Sequence, residues 1–215
     1  MATKTSPATD DHEPTRRSRM KSDRRSQLLA AAERLFAERG FLAVRLEDIG
    51  AAADVSGPAI YRHFPNKEAL LVELLVSISA RLHDGGRAVV AAADSASSAL
   101  DGLIDFHLDF AFGEPDLIRI QDRDLIHLPA SAQRQVRRSQ RQYVEIWVGV
   151  LGEVVAGVDE SSARLMAHAV FGLLNSTPYS TKPAGEKPAG GAARSRAVLR
   201  AMTVAALQSA GDRPR

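Results

Sequence analysis

Cysteine is absent from the 215 residues, aromatic residues make up only 5%, and apolar runs are short. Without thiols there is no disulfide frame, thiolate zinc site, iron–sulfur cluster or cysteine nucleophile. That absence fits a reducing compartment. The longest apolar stretches are Ala69–Ala80, interrupted by Glu73, and Ala88–Ala93. Both fall short of the roughly 20 residues that a bilayer demands. The first 25 residues alternate polar and charged types and lack the apolar segment of a secretion signal. The expectation is a soluble, cytoplasmic chain with no membrane partner.

What is present is an ordinary globular balance, 45% hydrophobic and 25% charged. The formal charge of +2 is unevenly spread. Residues 1–67 carry twelve Lys/Arg against nine Asp/Glu, whereas the remainder carries sixteen against seventeen. The excess is concentrated in RRSRMKSDRR, Arg16 to Arg25, with six positive side chains and one negative. Residues 1–15 lack hydrophobic periodicity, and residues 1–22 read as a disordered basic arm.

From Arg24 to Arg39, Leu28, Leu29, Ala32, Leu35 and Phe36 recur at three- and four-residue intervals, the mark of an amphipathic helix stopped at Gly40. A short helix follows over Glu47–Ala53. A third runs over Gly57–His63, with Ser56 placed to cap it and Pro58 in its first turn. A fourth starts at Lys67 behind Asn66 and continues to Arg81 or beyond. Further helices are expected over Ala96–Phe112, Pro115–Leu128, Ala130–Val155, Glu160–Ser176 and Ala192–Gln208, punctuated by Gly113, Pro129, Gly157 and Pro178. Ser180–Gly191 has the Pro, Gly and Lys content of a mobile loop. No period-two strand pattern is sustained anywhere.

Two short helices joined at Ala53-Asp54-Val55 have the dimensions of a helix-turn-helix. Ile49, Ala53, Val55 and Ile60 meet inside the angle. The second helix then presents Gly57, Pro58, Ala59, Tyr61, Arg62 and His63 outward, at a size that fits the major groove of B-DNA. The stretch from Arg24 to Leu71 resembles the TetR-type transcriptional regulators. The matching residues are Ala31-Ala32-Glu33-Arg34-Leu35-Phe36-Ala37-Glu38-Arg39-Gly40-Phe41, Asp48-Ile49, Val55-Ser56, Ile60-Tyr61-Arg62-His63-Phe64 and Asn66-Lys67-Glu68-Ala69-Leu70. The sequence departs from that pattern at Asp54, Gly50 and Arg45, where the family more often has Gly, Ala and a capping Thr. Asp tolerates a left-handed backbone better than most residues, Gly50 loosens a helix, and Arg45 is a poor cap that can reach a phosphate instead.

The resemblance implies an all-α protein. A three-helix DNA-binding domain over 23–69, with its helix-turn-helix at about 47–66, precedes a helical effector-binding and dimerisation domain over 70–210. It also implies that Tyr61 and Lys67 contact phosphates and that residues 56–63, from Ser56 to His63, enter the groove. Arg45 and Glu47 open the second helix at the same surface. Arg62 and His63 are candidates for base reading or phosphate clamping. Tyr61 and His63 can alternatively pack on the first helix. The arm residues Arg16, Arg17, Arg19, Lys21 and Arg24 would lie along the backbone or in the minor groove.

Residues 163–174 (ARLMAHAVFGLL) and 197–207 (AVLRAMTVAAL) are apolar nearly all round, which requires cover on several sides. A four-helix, two-fold dimer interface supplies it, through Ala163, Ala167, Val170, Phe171, Leu174, Val198, Met202 and Ala205. Between head and interface, Phe106, His107, Phe110, Gln121, Asp122, Tyr143, Trp147 and Asn175 combine aromatic rings with sparse polar groups. That composition suits a small-molecule pocket and equally a satisfied core. The segments FGLLNSTP and QDRDL resemble an actinobacterial subgroup associated with acyl-thioester catabolism.

His83, His107, His127 and His168 are scattered without ligand spacing, so no metal and no cofactor are expected. Arg134, Arg137, Arg138 and Arg141 form a stripe, read as a solvated face with an Arg141–Glu145 pair, or alternatively as a second DNA contact. The Asn175-Ser176-Thr177 sequon reads as chance. The expected protein is a homodimeric repressor of an inverted-repeat operator on double-stranded DNA, released by a small molecule. An activator or constitutive binder shares the fold, and a helical enzyme using His107, Asp109 or His127 is the rival of another class.

Overall fold

Apolar side chains spaced three and four apart impose helix on almost every segment. A computed structural model describes residues 16–177 and 191–211 of the chain. The described residues form α1 (Arg16–Arg39), α2 (Leu46–Ala52), α3 (Gly57–Ile60), α4 (Lys67–Ala92), α5 (Ala96–Gly113) and α6 (Pro115–Asp124). A 3₁₀ turn (Leu125–His127), α7 (Ala130–Val154), α8 (Glu160–Leu174) and α9 (Gly191–Gly211) complete them, with no strand. Sequence bounds and observed bounds agree within two residues for α5, α7 and α8, whereas α4 runs on to Ala92 and the helix expected over Pro115–Leu128 ends at Asp124 in a 3₁₀ turn. The loop expected from residue 180 lies outside the described residues up to residue 190, as do residues 1–15.

Three local expectations need correction. The basic segment is not an irregular arm from Arg16 on: it forms the first turns of α1. Ser56 occupies the N-cap of α3, but its hydroxyl makes no capping bond. The third helix is a single turn, Gly57–Ile60, and then tightens, with Arg62 N–H bonding Ala59 O at 3.2 Å and His63 N–H bonding Ile60 O at 2.9 Å. At Arg45 the missing cap is replaced from the other side, because the Asp48 carboxylate accepts the Arg45 backbone N–H at 2.9 Å. Asp54 sits at φ 53°, the left-handed turn position usually left to glycine. Asn66 caps α4 as its sequence position suggests, its Oδ1 accepting from Ala69 N–H at 2.9 Å.

Two apolar clusters fill the molecule. The first joins Leu28, Leu35, Phe36, Ile49, Ile60 and Phe64 of the head to Leu70–Ile78 of α4, and also to Leu117, Ile120, Leu128, Ala132 and Val136. The head's core is therefore closed by α6 and the start of α7 and does not divide at residues 69/70. The second cluster joins α5, the rest of α7, α8 and Leu207 of α9. Ion pairs from Arg196 to Asp105 and Asp109, and from Arg200 to Asp101 and Asp105, hold α9 on α5.

Polar staples tie head to body at the same places. Arg25 forms a fork with the Glu73 carboxylate, donates to His63 O at 2.8 Å and lies 4.2 Å over the Phe64 ring. Arg123 of α6 donates to the carbonyls of Phe36 and Ala37 at the end of α1. Its neighbour Asp124, buried, accepts Phe41 N–H at 3.3 Å.

Candidate nucleic-acid interface and effector cavity

The short α3 is held from behind by Ile60, which is fully buried, while Ser56, Gly57, Pro58, Tyr61 and Arg62 are exposed. Ala59 is half-buried and turned towards the core. Tyr61 does not pack on the first helix: 52% exposed, it donates its hydroxyl to the Glu47 carboxylate at 2.9 Å. Its own backbone N–H and then the Tyr61 hydroxyl hold Glu47 below the ordinary carboxylate range. The two exposed side chains thus brace each other across α2 and α3.

His63 takes the inward reading. It is half-buried, and its Nδ1 is buried without a partner among the described residues. Burial first, then the cations Lys21, Arg25, Arg24 and Arg62, hold its pKa below the ordinary histidine value. Those same cations define a basic face, because α1 brings exposed Lys21 and Arg24 towards exposed Arg62. Nothing is described of the side chains of Arg16, Arg17 and Arg19. Arg45 is exposed at the start of α2 on the head.

Lys67 departs from expectation. Its ammonium donates to the carbonyls of Phe41 at 2.8 Å, Val44 at 3.0 Å and Leu42 at 3.3 Å, and it lies 4.4 Å from the centroid of the Phe41 ring. An ammonium has three N–H donors, so a phosphate could be reached only by giving up one of these bonds. The sequence pointed to a lysine beside a helix N-terminus; it contained no sign of the α1–α2 loop folding its carbonyls around it.

A second site lies in the body. A cavity of about 230 Å³ is bounded by α4, α5, α6, α7 and α8, and its polar lining includes His107, Gln121, Gln140, Tyr143, His168 and Asn175. Of the expected pocket residues, His107, Phe110, Gln121, Tyr143 and Asn175 meet there. Three do not. Phe106 seats its ring against Gly85 and lines a different groove. Asp122 is exposed outside the cavity. Trp147 is fully buried behind it, edge-on to His107 at 6.3 Å and to Phe171 at 5.2 Å. The floor depends on glycine: a Cβ at Gly86 of α4 would lie 2.5 Å from the Tyr143 ring.

His107 joins two elements. Its Nε2–H donates to Asn175 Oδ1 at 3.1 Å, which leaves Nδ1 to accept the Tyr143 hydroxyl at 3.2 Å. Burial pushes the His107 pKa down to about 4 against the opposing Asn175 bond, so the ring is neutral at neutral pH. Burial likewise pushes the Tyr143 phenol well above its ordinary value. Gln140, His168 and Phe171 were not among the expected lining. Gln140 was legible, one turn before Val144 and beside Tyr143 on one helix face.

Phe171, assigned to the dimer face, instead stacks on His107 at 5.0 Å in the cavity. Ala163, Ala167, Val170 and Leu174 are buried within their own chain, so they have nothing to offer a partner. The open face of α8 is offset by about half a turn, with Leu165 71% exposed and Ala169 and Gly172 beside it. On α9, Val198, Met202 and Ala205 are exposed as expected. The candidate catalytic trio is dispersed: Asp109 pairs with Arg196, and His127 stacks on Phe41 at 5.4 Å. Among the described residues no group of three metal-binding side chains converges, and no helix is long and apolar enough to cross a membrane.

Comparison with known proteins agrees with both halves. Residues 28–74 match "Bacterial regulatory proteins, tetR family", and residues 93–203 match "Tetracyclin repressor-like, C-terminal domain". The HTH-type transcriptional repressor KstR2 of Rhodococcus jostii is 31% identical over 145 residues, 67% of this chain and 70% of its own. The solved ketosteroid transcriptional regulator KstR2 of Mycobacterium tuberculosis superposes with a TM-score of 0.73 at 21% identity, covering 86% of this chain and 94% of its own. AibR, solved with isovaleryl coenzyme A and operator DNA, superposes with a TM-score of 0.68 at 17% identity, covering 83% and 97%. With a helix-turn-helix presented on a basic face and a regulatory body matched over more than half its length, the chain belongs to the TetR family of DNA-binding transcriptional regulators.

Proposed function

We propose that this regulator is a homodimeric repressor that holds an inverted-repeat operator through α3 and releases it when an acyl thioester fills the body cavity. The observation that carries the switching half is the double use of α6. Ile118 and Gln121 face the cavity, while Leu117, Ile120, Arg123 and Asp124 of the same helix close the head's core and grip the end of α1. An occupant that displaces α6 therefore moves the head. An energy difference of about 3 kcal/mol between the two arrangements suffices for a hundredfold change in operator affinity.

The cavity's aromatic wall and its neutral His107–Tyr143–Asn175 chain suit an apolar group ending in a carbonyl. AibR, of like fold, takes isovaleryl coenzyme A. Dimerisation is supported by the exposed apolar side chains of Leu165 on α8 and of Val198 and Met202 on α9. DNA contact is assigned to Arg45, Ser56, Gly57, Pro58, Tyr61 and Arg62, with Lys21 and Arg24 on the flank. The separation of His107, Asp109 and His127 supports a binding protein over an enzyme.

The test is fluorescence anisotropy on a labelled duplex selected by the protein, titrated with coenzyme A thioesters of graded chain length. Release by one length class is expected. Unchanged anisotropy across the whole panel would contradict the switching half.

A further inference from the structure

The exposed arginines of α7 take no part in the head or in the cavity lining. Arg134, Arg137, Arg138 and Arg141 are all exposed, and none forms an ion pair among the described residues. The sequence suggested that Glu145 would neutralise Arg141. Instead, Glu145 is taken by Arg164 of α8, whose Nη2 lies 3.1 Å from Glu145 Oε2. That pair also fixes the register of two helices running antiparallel. With Glu145 opposite Arg164, one turn back along α7 puts Arg141 across from His168, and a further turn puts Arg137 across from Gly172.

His168 and the adjoining Phe171 and Asn175 line the cavity from α8, and Gln140 and Val144 line it from α7. His168 is the one exposed residue of this lining, and the stripe lies across from it on α7, beside the point where the lining reaches solvent. A run of seven residues spans about 10 Å, a length comparable to a diphosphate with a neighbouring phosphate. The cavity, at about 230 Å³, is below the roughly 300–1,000 Å³ of sites that enclose a drug-sized ligand. It has room for a small acyl group and none for a nucleotide.

We infer that Arg137 and Arg141, with Arg134 alongside, form the lip of the effector site and bind the phosphates of a thioester's nucleotide headgroup while the acyl group enters the cavity. This rests on the thioester reading above. Guanidinium forks suit phosphate oxygens, and unpaired arginines need no carboxylate to be displaced first.

Trp147 is the only tryptophan in the chain and stands behind the cavity wall, so its emission reports occupancy directly. The experiment compares isovaleryl coenzyme A with the isovaleryl thioester of N-acetylcysteamine, which carries no phosphate, on the full-length protein and on R137Q/R141Q. Both substitutions are at exposed positions, and circular dichroism checks the fold. The unaltered protein is expected to bind the coenzyme A thioester more tightly and with a steeper salt dependence. The double variant is expected to lose roughly tenfold per arginine, the scale of a charge-assisted hydrogen bond, on that probe alone. Equal binding of the coenzyme A thioester by both proteins would overturn the lip and leave the thioester reading intact. Failure of the unaltered protein to bind either probe, or any longer coenzyme A thioester, would overturn both.

Discussion

A side chain's chemistry is decided by what reaches it first. Lys67 illustrates this, since the carbonyls of Phe41, Leu42 and Val44 take its donors before any phosphate can. Lys67→Met is expected to lower stability by about 1–3 kcal/mol, the cost of leaving such carbonyls unpaired, measured by urea unfolding. The salt dependence of DNA binding should keep its slope, which a lost phosphate contact would reduce by about one per subunit. Tyr61 has the opposite position, exposed and held only by Glu47. Tyr61→Phe is expected to weaken DNA binding several-fold with unchanged sequence preference. Unaltered affinity would leave that hydroxyl as a brace between α2 and α3 alone.

His107 carries a pH signature of its own. Its folded pKa of about 4 lies below the roughly 6.5 of an exposed histidine, so the unfolded chain takes up the proton first as pH falls. This contribution to stability is complete above about pH 6.5, declines as pH falls towards 4, and is level below that. The slope is at most about 1.4 kcal/mol per pH unit. Unfolding midpoints measured between pH 7 and pH 4 should fall less steeply in His107→Gln. An identical slope in both proteins would contradict a buried, neutral ring.

At the scale of elements, helix existence was legible because apolar spacing and stop residues such as Gly40, Asn66 and Gly113 act locally. What was not legible was which face of an element meets which neighbour. Helix α8 is apolar on nearly every side, so periodicity could not separate the buried Ala163, Ala167, Val170 and Leu174 from the open Leu165. Phe171 was likewise placed on the partner side when it lines the cavity. In the head, the exposure of Tyr61 and Arg62 was legible from position in the turn. The sequence left His63 open between the groove and the first helix, and it takes the inward setting, beside Arg25 of α1, which donates to its carbonyl. The faces make a sharp test. Leu165→Glu is expected to give monomers in sedimentation velocity while keeping its helical content, and a persistent dimer would place the interface elsewhere.

Over the whole molecule, the head shares one apolar cluster with α4, α6 and the start of α7, so α3 is packed continuously onto the elements that border the cavity. The proposed two-fold pair fixes the separation of the two α3 turns, and in the proposed mechanism an occupant of the cavity acts on that separation through α6. Sequence preference at this scale is a property of the pair, because a single four-residue α3 reads too few bases alone.

Selection of bound duplexes from a random pool by the purified protein examines this most directly. Enrichment of an inverted repeat, with half-site centres one helical turn or a whole multiple of about 10 base pairs apart, is the expected result. Enrichment of a lone asymmetric half-site, or of no sequence at all, would contradict a two-fold pair of reading helices.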